Sequence, residues 1–116
     1  MKIKWLVRPE EHDYPAAASY LSLLYPPSKV SSIVNKLRGA PMSEFKAKDI
    51  FRASRLSLLG VSNSHVKKDR AKIRKGQKLS PLLLCRANNL IIADGYHRLC
   101  AVYSIDEDAV IPVKIV

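Results

Sequence analysis

Asp94, Gly95, Tyr96, His97 and Arg98 are the residues of this chain whose types and spacing best suit chemistry. They follow an apolar run, Leu90–Ala93, and precede Leu99–Ile105, which reads as a helix. His97 and Arg98 therefore fall in the first turn of a helix. That end carries partial positive charge and free N–H groups, so Asp or Glu is the locally stabilising choice there. A cation at the same place costs a few tenths of a kcal/mol up to about 1. The arrangement makes sense if an anion sits on the junction, most commonly a phosphate. In that reading N–H groups around Gly95–His97 hold the phosphate. Gly95 lets it approach, Arg98 clamps it bidentately and His97 donates a further hydrogen bond. Asp94 contacts a ribose, a metal or a substrate hydroxyl, which makes Asp94 and His97 the catalytic candidates and Asp94 the metal candidate. The competing reading is structural: Asp94 as a helix cap, Gly95 as a turn residue, and His97 and Arg98 as surface side chains. Carboxylates of the protein filling the notch beside Gly95 would favour the second.

The flanking elements set this junction at the end of a hairpin. Leu82–Cys85 is a continuous apolar run, as expected of a strand covered on both faces. Asn88–Asn89 suits a tight turn, and Leu90–Ala93 returns. Tyr96–Ile105 is the helix, and Ile111–Val116 a last strand that Pro112 should confine to an edge or to its first residues. Upstream, Lys2–Val7 reads as a short strand. Ala16–Tyr25 reads as a helix behind Pro15, stopped by Pro26–Pro27. Ser28 can cap the next helix, in which Val30, Ile33, Val34 and Leu37 form an unbroken i, i+3, i+4, i+7 stripe. Ser43 can cap a third helix, Glu44–Ser54. Glu10, Glu11 and Asp13 read as a solvated loop, or as the source of a carboxylate that reaches the anion site.

Asn63 or Ser64 can cap a fourth helix, His65–Lys75, closed by Gly76. Lys67, Lys68, Arg70, Lys72, Arg74 and Lys75 crowd it, with Asp69 the only acid. Such a run is a solvated face or a surface for a phosphate backbone. No aromatic residues interleave with these cations, which argues against a single-strand stacking platform and leaves duplex backbone or nucleotide phosphate.

The chain of 116 residues is the size of one domain, and its 47 % apolar content excludes a disordered chain. A formal net charge of +10 favours polyanions or an acidic protein partner. Cys85 and Cys100 lie in apolar runs without a metal-ligand neighbour and read as buried, reduced thiols of a cytoplasmic protein. Met1–Trp5 has no apolar leader-like run, and nothing approaches membrane-spanning length, so neither targeting signal nor membrane association is expected.

Asp94–Gly95–Tyr96–His97–Arg98 resembles the signature of the ParB/sulfiredoxin superfamily, and the resemblance to a bacterial ParB-like domain is best over Ser64–Val116. It implies a single α+β domain over 1–116. An N-terminal helical layer (about 14–76) would pack on a small mixed β-sheet, with the hairpin and phosphate-binding part at about 80–116. It implies a nucleotide-binding protein in which Gly95, Tyr96, His97 and Arg98 hold ATP, ADP or CTP with Mg²⁺, as an ATPase or small-molecule phosphotransferase. Free-serine kinases of this fold carry the nearest spelling, Asp-Gly-His-His-Arg. Tyr96 stands where sulfiredoxins have their catalytic Cys and ParB proteins a Glu, so neither sulfiredoxin chemistry nor ParB-type CTP hydrolysis is expected. No helix-turn-helix follows the box, so operator binding is not expected either. The alternative is a DNA-binding ParB-like module, a nuclease in some labels, gripping the backbone through Lys67, Lys68, Arg70, Lys72, Arg74 and Lys75. A non-catalytic protein docking an acidic partner is the third reading.

Overall fold

A computed structural model describes residues 2–116; Met1, the first residue of the segment read for a leader, lies outside them. In chain order the elements are β1 (Lys4–Trp5), α1 (Asp13–Leu21), α2 (Pro27–Gly39), β2 (Met42–Lys46), α3 (Ala47–Ser54), α4 (Ser64–Arg74), β3 (Lys78–Leu79), β4 (Leu82–Cys85), β5 (Ile91–Asp94), α5 (Tyr96–Ile105) and β6 (Val110–Ile115). The fold is α+β, and its main sheet is mixed, in the order β2-β6-β4-β5. β4 pairs antiparallel with β5 and parallel with β6. β1 and β3 form a separate parallel pair. No helix is long and apolar enough to cross a membrane among the described residues.

All four residues of β4 are buried, and their alternation shows why the run is continuously apolar. Leu83 and Cys85 join Ala93 and the helices α1 and α2, through Tyr14, Ala17, Leu21, Val30, Ile33 and Leu37. Leu82 and Leu84 join Ile92, Ile111 and Val113 on the opposite face, against α3, α4 and α5. Helices therefore cover both faces of the sheet, where the sequence led us to expect one helical layer.

Four local expectations need correcting. Met42–Lys46 is a strand, not the start of a helix, so the stretch expected to be helical contributes an edge of the sheet. Its pairing with β6, from Met42↔Lys114 to Lys46↔Val110, supplies a ladder that local propensity cannot reveal. Pro112 lies in an interior strand. β4 begins to pair with β6 only at Val113, so the proline sits where β6 has β2 as its paired neighbour. α2 starts on Pro26–Pro27 with no side-chain cap, rather than on Ser28. The hairpin loop runs from Arg86 to Leu90 instead of turning tightly on Asn88–Asn89. In α4, by contrast, Asn63 accepts hydrogen bonds from the N–H groups of His65 (3.0 Å) and Val66 (3.2 Å), the expected cap. Both cysteines are free and buried.

Candidate functional site

Gly95 joins β5 to α5 with φ +107°, a conformation that L side chains rarely adopt. A Cβ there would lie 2.8 Å from Leu82 Cγ and 2.9 Å from Arg98 Nη2. The lack of a side chain thus admits the protein's own Leu82 and Arg98, a structural requirement for glycine that stands beside the expected approach of a phosphate.

Arg98 is turned inward, with a side chain 18 % exposed. Its Nη2 donates to Asp94 Oδ2 (2.9 Å) and to the carbonyl of Pro81 (3.3 Å), and lies 4.0 Å from Asp13 Oδ2. Its Nε is buried without a hydrogen bond. Asp13, buried at the start of α1, also accepts a hydrogen bond from the Ser80 hydroxyl, which in turn accepts from the N–H of Glu10 (3.1 Å). The cation at the positive end of α5 is therefore answered by two carboxylates of the protein itself. Arg98 is not a free phosphate clamp. Of the acidic cluster at 10–13, Asp13 reaches the site, and it does so as a counter-ion. Burial pushes the Asp94 carboxyl above the ordinary carboxylate range, and the Arg98 guanidinium opposes that shift only in part.

A polar cleft of about 230 Å³ opens between α4 and the first turn of α5. His65, Lys68, Asp69 and Lys72 form one wall, and Asp94–Arg98 the other. The α4 residues are spaced i, i+3, i+4, i+7, one helix face, beside the adjacent face that Val66 and Ile73 hold in the core. His65 and His97 meet across the cleft with ring centroids 4.7 Å apart. Burial first, then the neighbouring His65, keep the His97 imidazole below the ordinary histidine range, hence neutral at pH 7. α5 begins without a side-chain cap and with no acid in its first turn.

The two residue sets that the sequence offered as alternatives thus meet. Lys68 and Lys72 stand opposite Gly95, Tyr96 and His97 in one cleft. Lys67, Arg74 and Lys75 are exposed, and none of them lines it. Arg70 donates through Nη1 to the Ser104 hydroxyl and ties α4 to α5, so it is not a free backbone contact. The Tyr96 hydroxyl donates to the carbonyl of Ser57, anchoring the segment 55–63 rather than facing an anion. Sequence reasoning passed over His65 and Asp69, although the i, i+3, i+4, i+7 polar stripe with Lys68 and Lys72 was there to read. Among the described residues no three His, Cys, Asp or Glu side chains assemble as a metal site. Compared with protein-family models, curated proteins and solved structures, the chain matches none.

Proposed function

We propose that this protein binds the phosphates of a nucleotide in the cleft between α4 and α5, on a domain of the ParB/sulfiredoxin type. The observation that carries the reading is the convergence of Lys68 and Lys72 with His97 and the uncapped start of α5. Ammonium groups, a neutral imidazole and free N–H groups are all donors, the set that a phosphate chain needs. Asp69 and Asp94 line the same cleft. Mg²⁺ on nucleotide phosphates is ordinarily held by one or two carboxylates, so this pair fits the ion, which would neutralise phosphate charge. His97 and Asp94 both line this cleft, His97 with its pKa lowered chiefly by burial and Asp94 with its pKa raised chiefly by burial, and they are the proposed proton-transfer groups. A hydroxyl between them meets a base, which phosphoryl transfer to a small acceptor requires.

Thermal unfolding with ATP, ADP and CTP, each with and without Mg²⁺, tests the proposal. A ligand at a hundred times its Kd adds about 2.7 kcal/mol of stability. Lys68→Ala with Lys72→Ala should abolish the shift. The proposal fails if no nucleotide stabilises the protein, or if the double variant keeps the full response.

A second reading, duplex nucleic acid on α4, is supported by unanswered charge. Among the described residues Lys67, Lys68, Lys72, Arg74 and Lys75 make no ion pair. Lys4 and Lys78 are register partners across β1 and β3, two further cations on neighbouring strands.

A further inference from the structure

The loop that joins β4 to β5 stands between two further hollows, neither of which shares a lining residue with the α4–α5 cleft. The larger, of about 490 Å³, is mainly apolar. Ile50 of α3, Leu84 of β4, Leu90 and Ile115 line it, together with Phe45 of β2, a large ring left 39 % exposed. Its one acid, Asp49, is already paired with Arg52 at 2.7 Å. The second hollow, of about 450 Å³, is basic. Lys29 and Lys36 reach it from α2, on the face that carries Ile33, and Arg86 reaches it from the loop. Lys29 Nζ lies 4.1 Å from the ring centroid of Tyr25, which also lines the hollow and holds that cation there. No Asp or Glu lines this hollow, and Lys29, Lys36 and Arg86 make no ion pair among the described residues. Arg86, Ala87 and Asn88 line both hollows, so the apolar and the basic space meet at the loop. The loop is tied down at each end: the N–H of Arg86 donates to the carbonyl of Val116 (2.7 Å) and that of Leu90 to the carbonyl of Ala53 (3.0 Å).

We infer that this face docks an acidic peptide segment of a partner protein, with a large apolar side chain in the hollow beside Phe45 and carboxylates at Lys29, Lys36 and Arg86. Charge complementarity selects the occupant. Three unanswered cations in one hollow attract carboxylates, whereas a chain of formal net charge +10 repels a second copy of itself. Single-stranded nucleic acid fits less well. Its bases call for aromatic platforms, and the apolar hollow offers one ring among aliphatic side chains. In a peptide, an apolar side chain and a carboxylate are close neighbours, as two hollows that share Arg86, Ala87 and Asn88 require. Burial of the apolar side chain supplies the affinity, and the cations supply the rate of encounter and the discrimination against basic segments. Nothing on this surface involves α4 or the start of α5, so peptide docking and phosphate binding stand or fall separately.

Fluorescence anisotropy with a set of labelled short peptides tests this, each peptide carrying several Asp or Glu and one Leu, Ile, Phe or Trp whose position is varied along it. At least one should bind the full chain. Replacing its apolar residue with Ser should weaken binding roughly 10- to 100-fold, the range for burying one large side chain. Lys29→Gln, Lys36→Gln and Arg86→Gln combined should weaken it roughly 3- to 30-fold and remove most of its salt dependence. All three positions are exposed, so unfolding curves near those of the wild type should accompany the loss. Amide chemical shifts should move at Phe45 and across residues 86–90 and stay in place at Lys68 and Lys72. The inference is overturned if no peptide of the set binds, if the triple variant binds as the wild type does, or if the shifts fall on α4 instead. A single-stranded oligonucleotide that moves the same amides and binds more tightly than every peptide overturns it in favour of nucleic acid.

Discussion

Replacing Gly95 with Ala separates a glycine required by the fold from one required by a ligand. The new Cβ would stand 2.8 Å from Leu82 Cγ and 2.9 Å from Arg98 Nη2, at φ +107°. The backbone contribution is about 1–2 kcal/mol for holding an L residue at positive φ. Leu82 is fully buried between β5 and the helices of its face and has little room to yield, so overpacking adds about 1–3 kcal/mol. The sum is about 2–5 kcal/mol. Gly76→Ala is the internal control. It also lies at positive φ (+73°), but its Cβ would meet only the flexible end of Lys4, 3.6 Å away. The control should therefore cost about 1–2 kcal/mol, the backbone part alone. Urea unfolding without ligand reads both variants as shifts of the midpoint at constant m. Equal destabilisation of the two would refute the close-packing argument and return Gly95 to the role the sequence suggested, room for a bound anion.

Other outcomes follow from the same geometry. Arg98→Met should destabilise by about 3–5 kcal/mol, because Asp13 and Asp94 stay behind without their cation; a cost under 1 kcal/mol by urea titration would mean that the cluster is not a working ion pair. Because folding raises the Asp94 pKa, its ionisation opposes folding. Stability should be favoured below the ordinary carboxylate pKa of 3.8 and decline as pH rises through the higher folded value, and Asp94→Asn should flatten that limb in pH-resolved unfolding. His97 has the opposite sign. Its folded pKa lies below 6.5, so stability should fall as pH drops from 6.5 through the folded value, whereas affinity for tripolyphosphate should rise over the same interval and lose that rise in His97→Gln. If α4 instead grips duplex DNA, neutralising Lys67 and Lys75 should reduce the slope of log affinity against log salt by about 2; an unchanged slope excludes those contacts.

The helix and strand around Asp94–Gly95 were legible because local signals agreed there: an apolar run, a turn dipeptide and a helical stripe. β4 was legible for a related reason, since four apolar residues in a row have no solvent face to present. β2 was not. Met42–Lys46 is mostly exposed and carries Glu44 and Lys46, so nothing local marks it as a strand. Its ladder with β6 joins residues about seventy positions apart, and such pairing leaves no trace in periodicity. The site was half legible. Counting cations at the start of α5 drew attention to the right junction, but only the fold brings Asp13 from α1 to within 4.0 Å of Arg98. The polar stripe of α4 was readable as a helix face, yet what it faces depends on tertiary packing.

Electrostatics then decide which helix provides the attraction for an anion. Arg98 has Asp94 and Asp13 on its guanidinium, so its charge is answered locally. Lys68 and Lys72 share their wall with one acid, Asp69, and make no ion pair among the described residues. The surplus positive charge of the cleft thus belongs to α4, while α5 contributes N–H groups and the neutral imidazole of His97. In the proposed reading, a phosphate drawn by charge would settle against Lys68 and Lys72 and be oriented by the α5 start. Affinity should accordingly follow the lysines. Stability should follow Arg98, provided the measurement is made where the variant is still folded. The two cations that look alike in the sequence, one beside a glycine turn and one inside a basic run, differ because a buried aspartate from a distant helix reaches only the first.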